Sequence, residues 1–138
     1  MSKTNQSAAT GRQGEEIAAR YLTRRGCTIL ARNWQAHPGE VDIIAECPAP
    51  TPANPAHRDL AFIEIRTRHG RLGLAEESIS RRKATSMASA AYAYMLSQDL
   101  NPDATPWRID LIAIAMAGER VISINWIQGA IDEEMLGT

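Results

Sequence analysis

Several things are scarce in this sequence, and each scarcity removes a class of protein. Aromatic residues make up 5% of the 138 positions, with a single phenylalanine. Trp34, Trp107 and Trp126 fall in strand-like stretches and read as core or interface anchors rather than platforms for stacked bases. There are two cysteines, Cys27 and Cys47, and no C-x-x-C pair, which argues against a disulfide framework or a zinc knuckle. Cys27 is expected as a small core residue, and a reducing cytoplasm as the setting. His37, His57 and His69 are scattered over loops and a strand end, a poor pattern for zinc. No apolar run exceeds Leu111–Ala117, far short of the ~20 residues of a membrane helix. The opening residues Met1 to Ser7 have no apolar stretch of the signal-peptide kind. No repeat at solenoid periods is visible.

What is present suits one globular domain, residues 11–138, behind a polar and mobile tail at 1–10. Apolar residues make up 44% of the chain, enough for a core. Total charge is −1, but it is unevenly spread. Residues 1–83 carry 13 basic and 9 acidic side chains, residues 84–138 only 2 and 7. A molecule polarised in this way can present a basic face to an anionic partner.

The hydrophobic pattern predicts the order α-β-β-β-α-β-β. A helix runs from Gly14, with Ile17, Ala18, Tyr21 and Leu22 on one face and Gly26 as its C-cap. Strands follow at Thr28–Trp34, Glu40–Ala45 and Leu60–Arg68, the last two separated by the proline-rich loop from Cys47 to Asp59. An alanine-rich helix spans Ser80–Ser97, then Trp107–Ala115 and Val121–Ile127 form a hairpin around Gly118, and a short helical tail ends the chain. The fold class is α/β: a mixed central sheet flanked by helices. Short connections favour antiparallel pairing of the first three strands.

Charged residues interrupt strands otherwise suited to burial. In the third strand Leu60, Phe62, Glu64, Arg66 and Arg68 share one face, so Glu64 and Arg66 project side by side. In the second, Asp42 lies between Val41 and Ile43 and shares a face with Glu40 and Ile44. Ionised groups so placed are costly unless paired or bound to a metal. On the first helix Glu15 borders the apolar stripe and can lean over the sheet, while Glu16 points to solvent. Three convergent carboxylates would suit Mg²⁺ or Mn²⁺, which could polarise a phosphate and activate water. A buried ion network of Asp42, Glu64 and Arg66 that merely holds the strands together fits the same pattern. Asp110, in an apolar strand beside Arg108, reads most simply as half of an ion pair.

Read in order, several blocks resemble the YraN-like family of small bacterial proteins. They are Gly14-Glu15, Gly39-Glu40-Val41-Asp42-Ile43-Ile44-Ala45, Phe62-Ile63-Glu64-Ile65-Arg66-Thr67-Arg68, Glu77-Ser78-Ile79 with Lys83, and Arg108-Ile109-Asp110-Leu111. That family is similar to the restriction-endonuclease-like superfamily, near the archaeal Holliday-junction resolvases. The resemblance implies a restriction-endonuclease-like fold, a homodimer, and Asp42 and Glu64 as metal ligands with Glu15 as the helical acid. Arg66 stands where the superfamily has a catalytic lysine. Arginine stays charged and cannot act as a base, though it can steady a phosphoryl group.

Arg68, Arg71, Arg81, Arg82 and Lys83 supply a basic segment for nucleic acid, with DNA as the expected partner. The last three open a helix, where cations oppose the helix dipole unless an anion sits there too. The expected function is therefore a nucleic-acid-binding protein of endonuclease-like fold, a metal-dependent DNA phosphodiesterase acting on branched or structured DNA. The rivals are a non-catalytic binding module with a degenerate site and an interaction scaffold.

Overall fold

In the computed structural model, residues 3–37, 39–49, 51–70 and 78–131 are described, with side chains from Gly11 onward. The elements are α1 (Lys3–Arg24), β1 (Thr28–Ala36), β2 (Gly39–Pro48), β3 (Arg58–His69), α2 (Arg81–Ser97), β4 (Trp107–Ala117) and β5 (Arg120–Ile127). This is the order the sequence predicts. The strands form one sheet in the order β1-β2-β3-β4-β5. Neighbours are antiparallel except β3 and β4, which run parallel because α2 carries the chain back across the sheet between them.

Each helix covers one face. On the α1 side Ala18, Leu22, Ile43, Ala45, Ala61, Ile63, Ile112 and Ile114 are buried together. On the α2 side Val41, Ile44, Phe62, Met87, Ala91, Met95 and Leu111 form a second cluster. Two glycines set how closely the helices approach. A Cβ on Gly14 would lie 2.1 Å from Thr67 Oγ1, and one on Gly39 would lie 2.3 Å from the Ser86 carbonyl oxygen. Close contact at Gly14 is what brings the next residue, Glu15, down against the sheet.

Two expectations are corrected. The segment expected as a tail is helical from Lys3, so residues 3–10 are the first turns of α1. Nothing in Thr4-Asn5-Gln6-Ser7-Ala8-Ala9-Thr10 breaks a helix, but no apolar stripe announces one either, and a helix nucleated downstream extends through such residues at little cost. The two cysteines, read as separate, are joined: Cys27 and Cys47 form a disulfide with Cα atoms 4.3 Å apart. Thr28 pairs with Glu46 across β1 and β2, so the next residues along each strand meet. Their 20-residue separation in sequence carries no sign of this. With the pairing goes the cysteine-based reason for placing the protein in a reducing compartment. No described helix is long and apolar enough to cross a membrane. The helical tail expected at the end lies in 132–138, outside the described residues, as does Arg71.

Candidate functional site: an acid pair at one end of the sheet

β2 and β3 pair with Ile43 opposite Ile63, so the next opposed pair is Asp42 and Glu64. Regular alternation puts Asp42 on the face of Ile44 and Glu64 on the face of Phe62, both packed on the α2 side, so the antiparallel register brings the two carboxyls together. Alternation breaks only beyond them. Val41 and Ile44 both pack on the α2 side although three residues apart, and Ala31 and Trp34 on β1 do the same. Alternation therefore slips by one on each strand, between Val41 and Asp42 and at Asn33 across from it. Asn33 carries the slip as a left-handed residue with φ 51°.

Asp42 lies on the α2 side, in hydrogen-bond contact with Glu64. Its Oδ2 also accepts from the Ile65 N–H at 2.8 Å. Burial first, and then the hydrogen bond to the Glu64 carboxyl, push the Asp42 pKa from 3.8 to about 7. The Ile65 N–H and the charge of Lys83 pull the other way without winning. At neutral pH Asp42 therefore keeps its proton in part of the population, against the Glu64 carboxyl.

Lys83 reaches this pair from α2. Its Nζ lies 3.2 Å from Glu64 Oε2, and its backbone N–H donates to the Ser80 hydroxyl that caps the helix, at 3.1 Å. The sequence places Lys83 among nucleic-acid contacts but not beside Glu64. One signal pointed there: a basic first helical turn works against the helix dipole and calls for a nearby anion. Arg66, two residues from Glu64 on the same face, donates from Nη1 to the Ser78 carbonyl. A cation facing the acids thus comes from a helix.

Glu15 is 8% exposed, so it does lean over the sheet as expected. It does so on the α1 side, where its Oε1 accepts from Arg32 Nε at 2.7 Å and Asn33 Nδ2 at 2.9 Å. Glu16 is exposed and pairs with Arg20 and Arg32, whose hydrogen bonding holds its carboxyl below the usual range. Among the described residues no three His, Cys, Asp or Glu side chains gather closely enough to hold a metal ion. The expected three-acid convergence is a pair plus a separately held acid. Two hard carboxylate donors still fit Mg²⁺ or Mn²⁺, because such ions commonly take one or two protein carboxylates and fill the remaining positions with water and substrate phosphate. Arg68, Arg81 and Arg82 are exposed at this same end, where β3 finishes and α2 begins.

The model of the uncharacterised protein family UPF0102 matches residues 14–114, which include Glu15, Asp42, Glu64, Arg66, Lys83 and Asp110. The chain belongs to this family. Among its relatives, a UPF0102 protein of Roseiflexus castenholzii is 40% identical over 132 residues, covering 94% of this chain and 98% of that one. One from Chloroflexus aurantiacus is 37% identical, covering 90% and 93%. One from Vibrio cholerae is 32% identical, covering 89% and 92%. As a UPF0102 member the chain is the YraN-like protein its motif blocks resemble. The α-β-β-β-α-β-β mixed sheet is the architecture that resemblance implies.

Proposed function

We propose that this chain binds structured or branched DNA and hydrolyses a phosphodiester bond at the Asp42–Glu64 pair, using Mg²⁺ or Mn²⁺. One observation carries the reading: two carboxyls are pressed together at the end of a sheet, at the cost of a raised pKa, beneath a helix that opens Ser80-Arg81-Arg82-Lys83. Acids held against their preferred ionisation are found where a charge is meant to arrive. When bound, the cation would polarise the phosphate and lower the pKa of attacking water. Asp42 and Glu64 would hold it in place of the proton that Asp42 retains. Arg81, Arg82 and the first N–H groups of α2 would receive the phosphate, and Lys83 would stand beside its developing charge. Arg66 would brace the chain at Ser78 rather than replace a base.

A second reading is a binding module without chemistry. The engagement of Glu64 by Lys83 and of Glu15 by Arg32 favours it. Incubating the purified chain with a labelled four-way DNA junction separates the two. Cleavage that needs Mg²⁺ or Mn²⁺ and falls at least ~100-fold in Asp42→Asn and Glu64→Gln, with binding kept, is the expected result. Salt-sensitive binding with no cleavage establishes the module instead, and no binding to any nucleic acid at low salt removes both.

A further inference from the structure

The predicted basic segment lies where β3 ends and α2 begins, yet a second concentration of positive charge sits on the other helix. Arg12, Glu16, Arg20 and Arg24 recur every fourth residue, so they form one winding stripe along the exposed side of α1. Between that stripe and β1 runs an open groove of about 410 Å³, lined by Glu16, Ala19, Arg20, Thr23, Arg24, Ile29 and Arg32. Three guanidinium groups therefore line it against one carboxylate. β1 is an edge strand of the sheet, so the groove is bounded by a strand with no neighbour on that side.

The charges inside the groove are arranged rather than random. Arg32 is held by Glu15 and Glu16, with Nε 2.7 Å from one and Nη1 3.1 Å from the other. Glu16 in turn holds Arg20 Nε at 3.3 Å. The acids fix where two of the cations stand without cancelling the excess, since Arg24 adds a third positive charge. The groove also begins at the same end of the sheet as the acid pair, on its opposite face. Glu15, one residue from its lining, is bonded to Asn33, which lies across the β1–β2 ladder from Asp42. Arg12 continues the stripe toward that same end of the sheet.

We infer that the α1–β1 groove is a second nucleic-acid track, which takes the sugar-phosphate backbone of a strand running from the Asp42–Glu64 end down the outside of α1. This inference rests on the proposed function and extends it. A duplex arm or single strand would be gripped on two sides of the acid pair, by Arg81 and Arg82 of α2 on one and by Arg20, Arg24 and Arg32 on the other. Arginine suits the task because its planar fork can meet two phosphate oxygens at once. The contacts would be to phosphate alone, so they would add affinity and register without sequence preference.

The test compares the full-length protein, Arg20→Gln/Arg24→Gln and Arg81→Gln/Arg82→Gln by fluorescence anisotropy on a labelled four-way DNA junction over a series of salt concentrations, with folding checked by circular dichroism. The α1 pair is expected to weaken binding roughly ten-fold at about 50 mM salt and to lower the slope of log K against log salt by about 2, while Arg20→Lys/Arg24→Lys restores most of both. If the α1 pair binds like the wild type with an unchanged slope while the α2 pair is weakened, the groove is not a nucleic-acid track, though the proposed function stands. If the wild type binds no nucleic acid at that salt, the proposed function and this inference fall together. If polyglutamate binds in its place and is lost with the α1 pair, the occupant is an acidic protein and the inference is overturned.

Discussion

Two segments of this chain are near mirror images in sequence and opposites in structure. Glu64-Ile65-Arg66 on β3 and Arg108-Ile109-Asp110 on β4 each place an acid and an arginine two residues apart on one strand face. At Asp110 every charge is answered. The carboxylate is fully buried and accepts from Arg108 Nε at 3.1 Å to each oxygen, from Trp126 Nε1 at 2.9 Å and from the Gly129 N–H at 2.9 Å. Arg108 also reaches Asp59 at 2.7 Å, which His57 contacts in turn. Burial raises the Asp110 pKa, and Gly129, Arg108 and Trp126 oppose it. At Glu64 the neighbouring arginine donates to the Ser78 carbonyl, a lysine from α2 pairs with the acid, and a second acid faces it. The first arrangement binds β4, β5 and the following turn together. The second presses two carboxyls together under a single helix lysine and raises the pKa of one of them. A buried acid is therefore not informative until its partners are known.

The largest effect expected from breaking this contrast is on the satisfied side. Asp110→Ala should destabilise the fold by about 3–5 kcal/mol in urea titrations, because it strands Arg108 and two N–H donors. A loss under ~1 kcal/mol would mean the network is not structural.

Asp42→Asn should act with the opposite sign. A carboxyl whose pKa rises on folding binds more protons in the folded than the unfolded state between pH ~4 and ~7, so its contribution to stability is present below ~4 and lost as pH climbs to ~7. The variant lacks this loss. Its stability relative to wild type should grow by up to about 4 kcal/mol from pH 4 to pH 8. A difference that stays flat with pH would erase the distinction between the two sites.

A smaller, sharper effect concerns which cation faces the acid pair. In Lys83→Met the Asp42 titration, followed by carboxyl carbon NMR, should move further upward because an attractive charge is gone. An unmoved titration would take the facing role away from Lys83. The smallest effect is at Glu15. Glu15→Gln weakens one charged hydrogen bond to a half-exposed Arg32 and should cost about 1 kcal/mol in the same denaturation assay. That outcome would group Glu15 with Asp110 as a structural acid, whereas a gain in stability would group it with Asp42.

Much of the fold was legible because it rests on periodicity. Ile17, Ala18 and Leu22 on α1, and Ala84, Met87, Ala91 and Met95 on α2, mark their helices, and the alternation from Leu60 to Arg68 sets the faces of β3 correctly. The acid pair was half legible. Asp42 and Glu64 stood out as charges in apolar strands, each on the face that alternation gives it, but their meeting depends on the register of β2 against β3, which no hydrophobic pattern records. The convergence expected of Glu15 failed for a related reason. A helical wheel gives the direction of a side chain from its own axis, and cannot say which face of the sheet that helix will cover.

Local physics, acting over a few residues, settled the elements, their order and the presence of misplaced charge, since burial and backbone geometry repeat along the chain with fixed periods. Partnership was settled only by folding. Whether an arginine turns to the acid beside it or to a distant carbonyl, whether two cysteines meet, and whether a lysine from another element reaches a carboxylate all depend on distances across the sheet, which the chain acquires when α1 and α2 close on its two faces.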